Sequence, residues 1–151
     1  MTALVRQRGS ALPETVLVMG ALCAVLFGIF DCGRLLFAYS FVTDAAREGA
    51  RWAMVRGSQS CAYSSNTLPQ CNATAAQVQT YVKGLSYGTV PGSDLTVATA
   101  YPSCASAGNG ASNAPGCIVS VTVSYPFKFT LPFLPSSSIA ISSTSKMVIS
   151  Q

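Results

Sequence analysis

The sequence predicts an α+β protein: a long N-terminal transmembrane stalk helix, then a small helix and a three-stranded antiparallel sheet closed by two disulfides. Three observations carry this expectation. Thr15 to Phe30 is an unbroken uncharged apolar run, TVLVMGALCAVLFGIF. The stretch after Ser58 alternates apolar residues with Ser and Thr, as half-buried strands do. That same stretch holds four cysteines, Cys61, Cys71, Cys104 and Cys117.

Composition agrees with two environments, lipid first and water later. Half of the 151 residues are hydrophobic and only 9% are charged, against about 25% in soluble domains. The net charge of +4 is small and dispersed. With no basic stripe interleaved with aromatics, nucleic acid is not an expected partner. The chain has no histidine, which removes the commonest general base and metal ligand. No catalytic residue, metal site or cofactor is therefore expected.

The apolar run is about 24 Å long as a helix, or about 31 Å counted from Ser10, matching the ~30 Å hydrocarbon core. Arg6 and Arg8 precede it closely, which places the N-terminus in the cytoplasm and the remainder across the membrane. A cleaved secretory signal fits poorly, because small-x-small sites such as Ala21-Leu22-Cys23 fall inside the apolar core. A lipoprotein site fits no better, with Leu22 before Cys23 and Asp31 before Cys32.

The segment Arg8-Gly9-Ser10-Ala11-Leu12-Pro13-Glu14 is informative. Glu14 either sits at headgroup level or has a role that outweighs the cost of a carboxylate beside hydrocarbon. Cleavage between Gly9 and Ser10 would leave an ammonium four positions before Glu14. The carboxylate suits a helix N-terminus, and it can neutralise such an ammonium on a neighbouring subunit. Pro13 tolerates a helix beginning at Ser10, because the first four helical N–H groups have no partner anyway. A helix beginning near Leu12 tolerates it equally.

Leu35, Ala38, Val42, Ala45, Gly49, Trp52 and Ala53 recur at three- and four-residue steps, an amphipathic helix signature. Asp44 with Arg47, and Glu48 with Arg51, are spaced to pair on the other face. One helix is therefore expected from about Ser10 to Arg56, roughly 70 Å long, with Gly57 at its C′ position. Gly20, Ala24 and Gly28 form a small-xxx-small row, continued by Ala38, Ala45, Ala46, Gly49 and Ala50. Such rows let helices approach closely, so lateral association is expected. Asp31 and Arg34 are spaced to pair at the outer membrane boundary.

Glycine five residues before glutamate, with Gly28-Ile29-Phe30-Asp31-Cys32-Gly33-Arg34 and Ala45-Ala46-Arg47-Glu48-Gly49-Ala50-Arg51, resembles the TadE family of pilin-like proteins of tight-adherence (Flp) pilus systems. The likeness is close over about the first 57 residues. Thr15 stands where an aromatic residue usually follows the glutamate. The resemblance implies a structural minor pilin or pseudopilin, not an enzyme, in the bacterial inner membrane. Its implied partners are the lipid bilayer, a prepilin peptidase cutting after Gly9, other pilin-like subunits and the pilus assembly machinery. Glu14 would guide docking, and the C-terminal domain would lie in the periplasm or outside the cell, in a filament. The alternative is an uncleaved, membrane-tethered periplasmic binding domain without a filament role.

Three segments are thus expected: a basic leader over 1–9, a transmembrane and stalk helix over 10–57, and an exported α+β domain over 58–151. In that domain an even cysteine count reads as two disulfides. Of three connectivities, the sequence-near one is Cys61–Cys71 with Cys104–Cys117. Metal binding is disfavoured, since no CxxC pair occurs. Cys23 and Cys32 read as free apolar residues. Asn72 is expected to cap a helix over Ala73–Leu85, although Asn72-Ala73-Thr74 also matches a glycosylation sequon. Strands are expected around Leu95–Tyr101, Val119–Tyr125 and Ile139–Ile149, the last interrupted over Ser142–Ser145, with the small helix covering the buried face. Tyr125 to Pro135, aromatic and proline-punctuated, reads as a turn or a segment packed under the sheet, or else as an exposed contact patch.

Overall fold

The computed structural model describes residues 11–63, 71–86, 88, 90–102, 113–130 and 138–150. Helix α1, Ala11–Met54, is 44 residues long. A short helical turn α2, Ser60–Tyr63, and the helix α3, Ala75–Gly84, follow it. A 3-10 turn over Gly92–Asp94 leads into strands β1 (Thr96–Ala100), β2 (Ile118–Lys128) and β3 (Ser138–Val148), which form one antiparallel sheet in the order β1-β2-β3.

The two halves of α1 have different surroundings. From Leu12 to Phe30 its large apolar side chains are exposed, each by 47–75%. This segment is long and apolar enough to cross a membrane, and almost none of it is buried against the chain. Above it, Ala38, Val42, Ala45, Ala46, Ala50, Trp52 and Ala53 are buried with the inner face of the sheet. The predicted three- and four-residue stripe is thus the face that the sheet covers. The expected role of the small helix in covering the sheet passes mainly to α1. Ten residues of α3 span only about 15 Å, too little for eleven-residue strands of about 36 Å.

On β2 the odd-numbered residues Val119 to Phe127 are buried, and the even-numbered ones face outward. Val97 on β1 pairs with Val123, and Ile141 on β3 pairs with Tyr125. Pro126 lies beyond the β1 register, which ends at Thr96↔Ser124, and is paired only with Ala140 of β3. A residue without an N–H is tolerated on such a free edge. β3 is continuous where an interruption was expected. Ser142 to Ser145 keep register with β2, and the Thr144 and Thr122 hydroxyls hydrogen-bond across the outer face at 2.8 Å. Of the Tyr125–Pro135 stretch, Tyr125 to Lys128 belong to β2. Residues 131–137 lie outside the described residues.

Two caps differ from expectation. Thr74, not Asn72, caps α3: its hydroxyl accepts from the Gln77 N–H, and the Gln77 side chain accepts from the Thr74 N–H. This reciprocal pair satisfies two free donors at once. Asn72 takes a positive φ of 60°, a conformation its short polar side chain tolerates. Its carbonyl oxygen accepts from the Asn113 amide at 2.8 Å. At the other end of α1, Gly57 is buried and lacks the positive φ expected of a C′ glycine. The helix closes instead by a turn in which the Arg56 N–H donates to Ala53 O. The Met54 carbonyl accepts from the Ser150 N–H at 3.1 Å.

One disulfide is found among the described residues, where two were expected: Cys61–Cys71, with 5.1 Å between Cα atoms. Cys104 lies outside those residues, so the Cys104–Cys117 pairing does too. Cys117 is buried and disulfide-bonded. Cys23 and Cys32 are free thiols exposed on α1.

Candidate functional site

The sequence-predicted site residues fall on α1, at three levels. Gly9 and Ser10, the proposed processing point, lie outside the described residues. Glu14 is in the first turn of α1 and exposed. A carboxylate there complements the positive end of the helix dipole. Next to it the Thr15 hydroxyl donates to Leu12 O at 2.9 Å.

The small-residue row divides in two. Gly20 and Ala24 are exposed and Gly28 is half-buried. A Cβ built on Gly20 or Gly28 meets nothing within 4 Å, so this lower part of the row is open surface. The upper part is occupied by the chain itself. A Cβ on Gly49 would lie 2.6 Å from Val82 Cγ2 and 3.3 Å from Val121 Cγ1. Ala45, Ala46 and Ala50 are 4%, 0% and 0% exposed. These residues bring α1 close to α3 and the sheet, so the lateral association expected of the whole row is open only to Gly20, Ala24 and Gly28.

Between these parts sits a polar tie. Asp31, 4% exposed, accepts from Arg34 through Oδ1 at 3.1 Å and from the Thr130 N–H through Oδ2 at 2.9 Å. Arg34 also donates to the Thr130 hydroxyl, and its guanidinium lies 5.5 Å from the centre of the Phe127 ring. The expected Asp31–Arg34 pair is therefore present, and it reaches almost one hundred residues along the chain to the end of β2. A buried carboxylate needs its charge paired and its oxygens hydrogen-bonded, and this arrangement supplies both. The i,i+3 spacing revealed the pair. No local signal marked Thr130 as its third member.

A second polar group was also missed. Glu48 accepts from the Tyr81 hydroxyl at 3.2 Å, while the expected Glu48–Arg51 pair is absent from the ion pairs of the described residues. Asp44 and Arg47 do pair, at 3.9 Å on an exposed face. Tyr81 stacks on Trp52 at 5.0 Å, and the Arg56 guanidinium lies over the Trp52 ring, 4.4 Å from its centre. Burial, then the Glu48 charge and hydrogen bond, raise the Tyr81 pKa, with Arg56 opposing. Burial alone raises Tyr101, whose hydroxyl donates to Ala73 O. Among the described residues no three His, Cys, Asp or Glu side chains gather as a metal site.

Comparison with known proteins bears on the same helix. Residues 9–51 match the family model described as TadE-like protein, the family that the sequence resembles. The match covers less than a third of the chain. No curated protein matches the chain significantly, and no solved structure does so.

Proposed function

We propose that this chain is a structural subunit of a tight-adherence pilus system, a minor pilin or pseudopilin that acts by helix-to-helix assembly in the bacterial inner membrane. The observation that carries this reading is the TadE-like match over residues 9–51. That family is structural and pilus-associated, which favours assembly over catalysis. The match spans the bare half of α1, where Glu14, Gly20, Ala24 and Gly28 lie on or near open surface. It also spans the Ala45–Arg51 motif, whose small residues pack against the chain's own α3 and sheet.

In this reading a prepilin peptidase removes residues 1–9. The new Ser10 ammonium of one subunit then meets the Glu14 carboxylate of another. Arg6 and Arg8 keep the leader cytoplasmic, and the α+β domain is exported to the periplasm, or outside the cell in a pilus. Intact mass and N-terminal sequencing of protein from its native membrane test the first step. A chain beginning at Ser10 is the expected result. An intact N-terminus would instead support the uncleaved tethered domain. Replacing Glu14 with Ala is expected to reduce association with partner subunits by tenfold or more, since a charge-assisted contact in a low-dielectric setting is lost. Unchanged co-purification would remove Glu14 from docking.

A further inference from the structure

We propose that the membrane-proximal rim of the sheet is itself a lipid contact, with Phe129 and Lys128 seated in the headgroup layer of the membrane that α1 crosses and Ile139 at its outer edge. This rests on the membrane-anchor reading of α1 and is independent of the pilus assignment.

The level of the rim follows from the tie to α1. Phe30 ends the uncharged run, and the next residue, Asp31, holds the Thr130 N–H at 2.9 Å. Thr130 is two residues beyond Lys128, the last residue of β2, which pairs with Ser138, the first of β3. At about 3.3 Å per strand residue, Phe129 lies roughly 3 Å, Lys128 roughly 7 Å and Ile139, opposite Phe127, roughly 10 Å above the hydrocarbon edge. The headgroup layer occupies roughly 5–7 Å on each side of the hydrocarbon core, so Phe129 and Lys128 fall within it and Ile139 stands just above its outer edge.

The chemistry of the rim fits that layer. Ile139 is 49% exposed although it sits opposite Phe127, which is 2% exposed. Phe129 is half-buried and packs edge-on against Phe127 at 5.3 Å. Phe30, which with Thr130 lines one shallow cleft, is 70% exposed, so exposed apolar surface on α1 reaches the level of the tie. The cations there, Lys128 and the partly exposed Arg34, can reach phosphates. The carboxylate at this level, Asp31, is buried and already paired. Apolar bodies with cationic tips are what a headgroup–acyl boundary accommodates. A second copy is the rival occupant, but Asp31 leaves it no exposed anion at this level to meet Lys128.

The test uses the full chain in nanodiscs of phosphatidylglycerol-containing lipid, brominated on the upper acyl carbons. The chain's one tryptophan, Trp52, is about 32 Å up the helix from Asp31 and serves as a constant background. Ile139→Trp, Val18→Trp and Thr144→Trp then report the rim, the span and the upper sheet. Quenching at position 139 is expected to be at least twofold that at 144 and below that at 18. Phe129→Trp reads the lower part of the rim should Ile139→Trp disturb the strand. Quenching at the rim no greater than at 144 overturns the proposal. So does a blue-shifted rim tryptophan that escapes bromine and reddens on dilution into excess lipid, because a second copy would then cover it. If position 18 also escapes quenching, the anchor reading fails and the rim contact with it. An intact N-terminus with a quenched rim would sink processing alone and leave this contact standing.

Discussion

Gly49 is the residue at which packing demands are sharpest. Its Cα faces Val82 and Val121, both fully buried, and neither can swing aside without disturbing the core. Gly49→Ala gains about 1 kcal/mol of helix propensity, but the inserted methyl forces a shift costing about 1–3 kcal/mol. The expected result is a net loss of stability, read as a lower thermal midpoint of the domain. Gly20→Ala and Gly28→Ala meet nothing in this chain and are expected to leave that midpoint unchanged. A higher midpoint for Gly49→Ala would sink the close-approach account. These three glycines look alike in sequence. A small residue on a helix lets any backbone approach, and spacing along one helix does not say whether the visitor is a strand of the same chain or another helix. The face itself was legible, since Leu35, Ala38, Val42, Ala45, Trp52 and Ala53 obey the helical period; its occupant was not.

Elements are held to one another by contacts between residues far apart in sequence, and these were the least legible. Glu48 and Arg51 have the spacing of a helix pair, yet Glu48 turns to Tyr81, 33 residues away on α3. Trp52 extends the junction by stacking on the same ring. The strands were readable from alternation, but Ser142 to Ser145 argued for a break because four polar residues in a row lose that alternation. Pairing along the whole of β2 outweighs that preference. The cap of α3 was legible in principle: Thr74 and Gln77 have the capping-box spacing, which signals more than the Asn at 72 does. The α1–α3 junction also gives the domain a pH dependence. A phenol with a raised folded-state pKa keeps its proton where the unfolded chain has begun to lose it. Its stabilisation is complete below the ordinary value of about 10 and is lost as pH rises through the raised one. The thermal midpoint is therefore expected to fall above about pH 10, and to fall less steeply in Tyr81→Phe, with Tyr101 contributing a remainder. Identical alkaline profiles for the two proteins would show that Tyr81 carries no such linkage.

At the scale of the whole molecule, the helix is bare and apolar below and core above. We therefore place the start of the folding unit near Asp31, not at Ser58 as the change in composition suggests. A fragment spanning 31–151 is expected to unfold cooperatively with dispersed amide resonances. One spanning 58–151 lacks Val42, Ala46, Ala50, Trp52 and Ala53 from the core and is expected to remain unfolded. A cooperative transition in the shorter fragment would contradict this division. The two ties, Asp31 to Thr130 and Met54 to Ser150, also set how the domain bears tension. They join the ends of the sheet to the ends of the same helix segment, so a pull along the helix axis runs nearly along β2 and β3. Their eleven paired positions are then loaded in shear together, not peeled apart in turn. Under such a load survival is governed by the rate of unfolding, and a domain clamped at both ends is mechanically stiffest along the axis of its own anchor.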